Sequence, residues 1–139
     1  MIKLKKIING RINTPEPMRM PIDISMPYSA NCLFYLSGNA LGHDTTDLTE
    51  KKFISLDEHI ENDYDKRYLL AYEVTRDMIF EVDVENADKA KIGVKGTFVS
   101  RGDFCKNTLD VNDQSYPEAI VIDSSEALTK GKVTIQMLV

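Results

Sequence analysis

Tryptophan is missing from this chain, and histidine and cysteine occur only twice each. Without tryptophan, the commonest flat platform for stacking a sugar ring is gone, which weakens a carbohydrate-binding reading. Two cysteines, Cys32 and Cys105, with no CxxC context, rule out a disulfide-dense scaffold and a cysteine-rich zinc site. Their spacing argues neither for nor against a bond between them, and two buried free thiols in a reducing compartment are the expected state. Phosphate-cradling loops of the GxxxxGK or GxGxxG kind and the GxSxG nucleophile elbow are also absent. No apolar run reaches the roughly 18 residues that a membrane helix needs. The opening Met1–Ile8 stretch is basic but has no uninterrupted apolar stretch, so it does not read as a secretory signal.

Positive charge is also scarce overall, with 17 basic against 22 acidic residues and a net charge of −5. Its distribution is uneven. Residues 1–20 hold Lys3, Lys5, Lys6, Arg11 and Arg19 against Glu16 alone, and the remainder holds 12 basic and 21 acidic residues. An acidic body repels a polyanion, so direct nucleic-acid binding is not expected. A basic segment on an acidic body instead suits contact with an acidic protein surface or a small stretch of phosphate.

What the chain does have, at 139 residues, is enough length for one domain with a real core. Four of its five prolines lie between residues 15 and 27. Proline fixes φ and donates no N–H, so this stretch is neither a helix nor a central strand. It reads as an extended arm over 1–27, preceding a single β-domain over 28–139. The alternation of Met18, Met20, Ile22, Ile24 and Met26 gives the arm one apolar side, which docks on its own core or on a neighbour.

Beyond the arm, short strands alternate with turn signals. Ala30–Leu36 is a compact apolar run closed by Ser37-Gly38-Asn39. Lys52–Leu56 and Arg67–Val74 read as further strands. In Met78–Val84, Met78, Phe80, Val82 and Val84 share one face while Glu81 and Asp83 take the other, the period-two pattern of a half-buried strand. Thr97–Val99, Ala119–Asp123 and Lys132–Val139 complete the set. The acidic stretch from Asp57 to Asp65 reads as a loop or single helical turn. The stretch from Arg101 through Asp113 reads as loop, with a β-turn at Arg101-Gly102-Asp103. One helical turn is expected at Ser125–Leu128, and no longer window carries a helical apolar stripe. The fold class is therefore all-β, a small sandwich or barrel with an extended proline-rich N-terminal arm.

Catalytic chemistry has few carriers here. His43 in Gly42-His43-Asp44 and His59 in Asp57-Glu58-His59-Ile60-Glu61 could join Asp47 or Glu61 in a metal-dependent hydrolase. Their spacing matches no recurrent ligand motif, and a solvated loop histidine is the ordinary outcome. Cys32 sits within an apolar strand, and Cys105 is the more exposed thiol. No catalytic or metal-binding residue is assigned.

Several segments read together as a pattern. They are Lys5-Lys6-Ile7-Ile8-Asn9-Gly10, then Leu36-Ser37-Gly38-Asn39-Ala40-Leu41, then Val74-Thr75-Arg76-Asp77-Met78-Ile79-Phe80-Glu81-Val82. Ile92-Gly93-Val94-Lys95-Gly96, Ala119–Val121 and Gly131-Lys132-Val133-Thr134-Ile135 follow in order. This succession resembles the small β-rich head decoration, or capsid-stabilising, proteins of tailed bacteriophages. The resemblance implies a non-enzymatic virion structural protein on the capsid exterior, made in the bacterial cytoplasm and needing no cofactor. It implies the major capsid protein as partner, with a homotrimer as one arrangement, and neither nucleic acid nor membrane. The contacting residues expected under this reading are Lys3, Lys5, Lys6, Arg11, Met18, Arg19, Met20, Ile22, Ile24 and Met26. The alternatives are another small β-barrel binding module, a phage morphogenesis adaptor, or the His43/His59 hydrolase.

Overall fold

The computed structural model describes residues 2–7, 16–23, 31–43, 51–63, 66–76, 78–100, 105–114 and 116–138, with only the backbone for 2–7 and 56–63. The chain is all-β. Its strands are β1 (Ile2–Ile7), β2 (Met18–Ile22), β3 (Leu33–Ser37), β4 (Ala40–Gly42), β5 (Lys52–Asp63) and β6 (Lys66–Glu73), then β7 (Met78–Glu85), β8 (Lys95–Ser100), β9 (Lys106–Asp110), β10 (Ala119–Asp123) and β11 (Lys132–Met137). A 3-10 turn at Ala87–Lys89 and the one-turn helix α1 (Ala127–Lys130) are the helical elements among the described residues.

Five strands close into a barrel in the order β7-β11-β10-β8-β9, with β9 returning to β7. Four of these contacts are antiparallel, and the closing one is parallel, with Asp83 opposite Thr108 and Glu85 opposite Asp110. The alternation read in β7 and β11 fills the interior. Phe80, Val82, Val133, Ile135 and Met137 are all buried in one cluster with Phe98, Leu109 and Val121. A five-stranded barrel is too narrow for a channel, so its inward side chains form a packed core.

The other strands build a second unit against the barrel. β3, β5 and β6 pair antiparallel with one another or with β4 and β2, and a single parallel pair, Ile22 with Leu41, completes the circuit. The sheet formed by β3, β5 and β6 is a wall between two cores. Leu33, Tyr35, Ile54 and Tyr72 face the barrel core, while Cys32, Phe34, Phe53, Leu69 and Ala71 face the second. Burial on both faces is what an unbroken apolar run such as Cys32–Tyr35 encodes, because no alternate position is left to water.

Several sequence expectations need correction. The acidic stretch is not a loop, since β5 runs on to Asp63 with a register shift between Ser55 and Ile60, carried by its hairpin with β6. Lys106–Asp110 is not a loop either. It is β9, held by β8 on one side and by β7 and β3 along the other, so neighbours supply the strand character its polar sequence lacks. Ala40–Gly42 forms a short strand after the Gly38-Asn39 turn. The helical turn does form, at Ala127–Lys130, ending at Gly131 with φ of 65°. Within the 1–27 segment, residues 2–7 and 18–22 are strands of the sheet, paired with β7 and β6. Residues 8–15 and 24–30 lie outside the described residues, as do 44–50 and Arg101–Phe104.

One glycine is required by close approach. A Cβ at Gly96 would stand 2.7 Å from the Asp110 carbonyl oxygen and 3.0 Å from Leu109 Cγ. Backbone cannot retreat there without breaking the β8–β9 ladder. Gly96→Ala should therefore cost about 1–3 kcal/mol, read as a lower urea midpoint at unchanged slope.

Candidate functional site

Among the described residues, a cluster of chemistry-bearing side chains lies where the barrel meets the second unit, and its centre is Glu118. This residue is 4 % exposed. Its backbone is clamped from two sides: its N–H donates to Gly96 O at 2.9 Å, and its carbonyl accepts from Leu138 N–H at 2.9 Å. Pro117 precedes it, and the clamp turns its carboxylate inward at the start of β10. The Tyr35 hydroxyl donates to Glu118 Oε2 at 2.8 Å, and the Phe98 N–H donates to Oε1 at 3.3 Å. Two cations from the second wall and from β9 complete the group. Lys106 Nζ lies 5.1 Å and Lys52 Nζ 5.8 Å from the centre of the Tyr35 ring. Lys52 itself is buried.

Burial dominates the electrostatics of this cluster. Loss of water pushes the Glu118 carboxyl above its ordinary range. The Tyr35 hydrogen bond, the Lys52 charge, the Phe98 N–H and the Lys106 charge act against that rise without cancelling it. Each of β3, β5, β8 and β9 thus sends a group to one carboxylate. The sequence offered no signal for it. Ala119 and Val121 are the inward residues of β10, so strict alternation would point Glu118 outward with Ile120. Tyr72, buried in the same core, is pushed up to about 12 by burial.

A second feature is a polar groove on the outside of the barrel, lined by Glu81, Asp123, Ser125, Glu126, Lys132 and Thr134. Glu81 comes from the outer face of β7, as the alternation predicted. Among the described residues no group of three or more histidines, cysteines, aspartates or glutamates is placed to hold a metal ion. His43 packs its ring against Phe34, 4.9 Å between centres and tilted by 34°. His59 lies on β5, and Asp47 lies outside the described residues.

The cysteines are both free and both buried, in the second core. Cys105, expected to be the more exposed of the two, is 2 % exposed because it packs into the second core. Neither thiol should react with a bulky disulfide reagent in the native protein, and both should react on unfolding. A thiol titration with and without denaturant checks this.

The residues expected to contact a capsid are placed differently from one another. Met18 is 44 % exposed on β2. Arg19 is exposed beside it, with its guanidinium 3.9 Å above the Tyr68 ring on β6. Met20 and Ile22 share Met18's face of β2 but are buried in the second core, so internal packing accounts for their apolar character. Pro21 is tolerated in β2 because its pairing to β4 is limited to Ile22. Lys3, Lys5 and Lys6 lie on β1, with Lys3 opposite Glu81 and Lys6 opposite Ile79 in register, and Lys5 within the irregularity between Leu4 and Lys6. Arg11, Ile24 and Met26 lie outside the described residues.

No helix among the described residues is long and apolar enough to cross a membrane. The chain matches no family model, no curated protein and no solved structure.

Proposed function

We propose that this chain is a non-enzymatic virion structural protein that docks on the outside of an assembled capsid and stabilises it. The observation that carries the reading is that its interior is filled. Tyr35, Phe34, Phe53, Phe80 and Phe98 occupy the two cores, and the Glu118 cluster is closed over. A protein packed in this way works through its surface.

The surface has features that suit an extended acidic partner. The first 20 residues are basic against an acidic remainder. Met18 and Arg19 are both exposed on β2, an adaptable apolar side chain next to a cation. Weak contacts of this kind add up when many copies bind one lattice, so no single copy needs a deep interface. The succession of strand and turn motifs resembles that of phage decoration proteins, and that resemblance points to the shell as the partner.

The test is quantitation of the protein across a density gradient of phage particles from the source strain. Co-banding at a copy number comparable with the major capsid protein is expected. A copy number fitting one ring at a neck, or no co-banding, overturns the reading. Deleting residues 1–26 is not a clean probe, because it strips Met20 and Ile22 from the second core. Met18→Asp with Arg19→Glu is cleaner. It should weaken binding to heads while changing stability by about 1 kcal/mol or less, chiefly the lost Arg19–Tyr68 contact.

A further inference from the structure

β10 departs from the pattern of its neighbours in the barrel. From Glu81 on, the outward positions of β7 are Glu81, Asp83 and Glu85, and those of β11 are Lys132, Thr134 and Gln136. β10 instead reads Ala119-Ile120-Val121-Ile122, apolar at every position. Such a run encodes burial on both faces. In β3 the run Cys32–Tyr35 has that, with one core on each side. In β10 only Ala119 and Val121 reach a core. Ile120 and Ile122 lie outside both cores, and each keeps part of its surface in water.

Two exposed apolar side chains extend the same strip. Ile92 is 70 % exposed, in a turn closed by the Val94 N–H on Lys91 O. The next residue, Gly93, donates its N–H to Val121 O at 2.8 Å, which sets the turn beside Ile122. Tyr116 is 61 % exposed at the other end of β10. Its carbonyl accepts from the hydroxyl of Thr97 at 2.9 Å, on the outward side of β8. Tyr116, Ile120, Ile122 and Ile92 therefore follow one another along one side of the barrel. The rim of this strip is balanced, with Lys89, Lys91 and Lys95 against Asp88, Asp113 and Asp123. Such a rim selects neither a strongly acidic nor a strongly basic partner.

We propose that the strip is covered by the same strip of a second copy, related by a two-fold axis with the two β10 strands antiparallel. That arrangement lays Ile120 on Ile122 and Tyr116 on Ile92 across the axis. It also brings Lys91, beside Ile92, toward Asp113, whose carbonyl is held on the Tyr116 side by the Thr97 hydroxyl at 3.0 Å. Parallel strips would set Lys91 against Lys91, a like-charge contact that costs affinity. A two-fold contact uses one patch on each copy and closes at the dimer. The inference concerns contact between copies and does not rest on the capsid reading.

Sedimentation velocity on the full chain, without capsids, tests it. The wild type should pass from monomer to dimer as its concentration rises, and stop there. Ile92→Glu changes a side chain already in water, so the fold and its far-ultraviolet circular dichroism should stay as they are. Dimerisation should weaken by about tenfold or more, and Ile120→Glu should act in the same direction. Lys91→Glu and Asp113→Lys should each weaken the dimer. The chain carrying both should recover, because the swapped pair is again opposite in sign. That recovery separates a lost contact from a lost fold. A wild type that stays monomeric to its solubility limit overturns the proposal, as does growth beyond the dimer. So do an Ile92→Glu variant that dimerises as the wild type does, or a double charge variant that fails to recover.

Discussion

Phe34→Ala should lower the unfolding free energy by about 3–5 kcal/mol, and it should do so in one transition rather than two. Phe34 is fully buried at the centre of the second core, against Phe53, Leu69 and Leu41. Removing its ring leaves a cavity there and strips the contact with His43. The barrel core does not contain Phe34, so independent units would show a second transition unaffected by the change. The wall argues otherwise. Phe34 is flanked on β3 by Leu33 and Tyr35, which belong to the barrel core, so β3 cannot leave one core without opening the other. Urea unfolding followed by tyrosine fluorescence and by far-ultraviolet circular dichroism should give coincident curves for wild type and variant. Separate curves would mean that the two units fold independently.

The second large effect belongs to Glu118. Glu118→Ala removes the acceptor of the Tyr35 hydroxyl and of the Phe98 N–H, each buried and worth about 1–3 kcal/mol. It also takes a counter-charge from Lys52 and Lys106. A loss of about 2–4 kcal/mol is expected. Glu118→Gln keeps an acceptor and should cost less, and its cost should depend on pH in a defined direction. Burial raises the folded-state pKa of Glu118 above its unfolded value. The folded state then holds the proton more tightly than the unfolded state does. The stability contributed by this group is fully present below the unfolded pKa and is lost as pH rises through the folded pKa. Glutamine does not titrate, so the gap between Glu118→Gln and wild type should narrow, or reverse, as pH rises from the ordinary carboxylate range toward neutrality. A gap that widens with pH would mean that the lysine charges outweigh desolvation. Tyr72 gives the same sign at the alkaline end. Its folded pKa of about 12 against an ordinary value of 10.0 means stability falling between those two pH values. Tyr72→Phe should remove that part of the alkaline loss.

Much of the fold was readable along the chain because the relevant signals are local. Met78–Val84 and Lys132–Met137 alternate because one face of each meets the barrel core, and Cys32–Tyr35 does not alternate because both faces are buried. Gly38, Gly93 and Gly131 mark real turns with positive φ. The stretches that misled are those whose partners lie far away in sequence. Lys106-Asn107-Thr108-Leu109-Asp110 has little strand character of its own and is a strand because β7, β8 and β3 surround it. The acidic distal half of β5 is a strand because β6 returns beside it. Cys105 looked exposed among polar neighbours, yet it is buried in the second core.

The same division applies to function. By itself, the sequence determined the all-β class, the scarcity of catalytic motifs and the separation of a basic N-terminal stretch from an acidic body, because composition and periodicity need no partner to be read. Only the tertiary structure decided that Met20 and Ile22 are buried while Met18 and Arg19 stay exposed. Only it decided that a single glutamate after Pro117 gathers Tyr35, Lys52, Lys106 and Phe98 around it. Each of these depends on which distant strands lie side by side, and that is set by how the sheet closes.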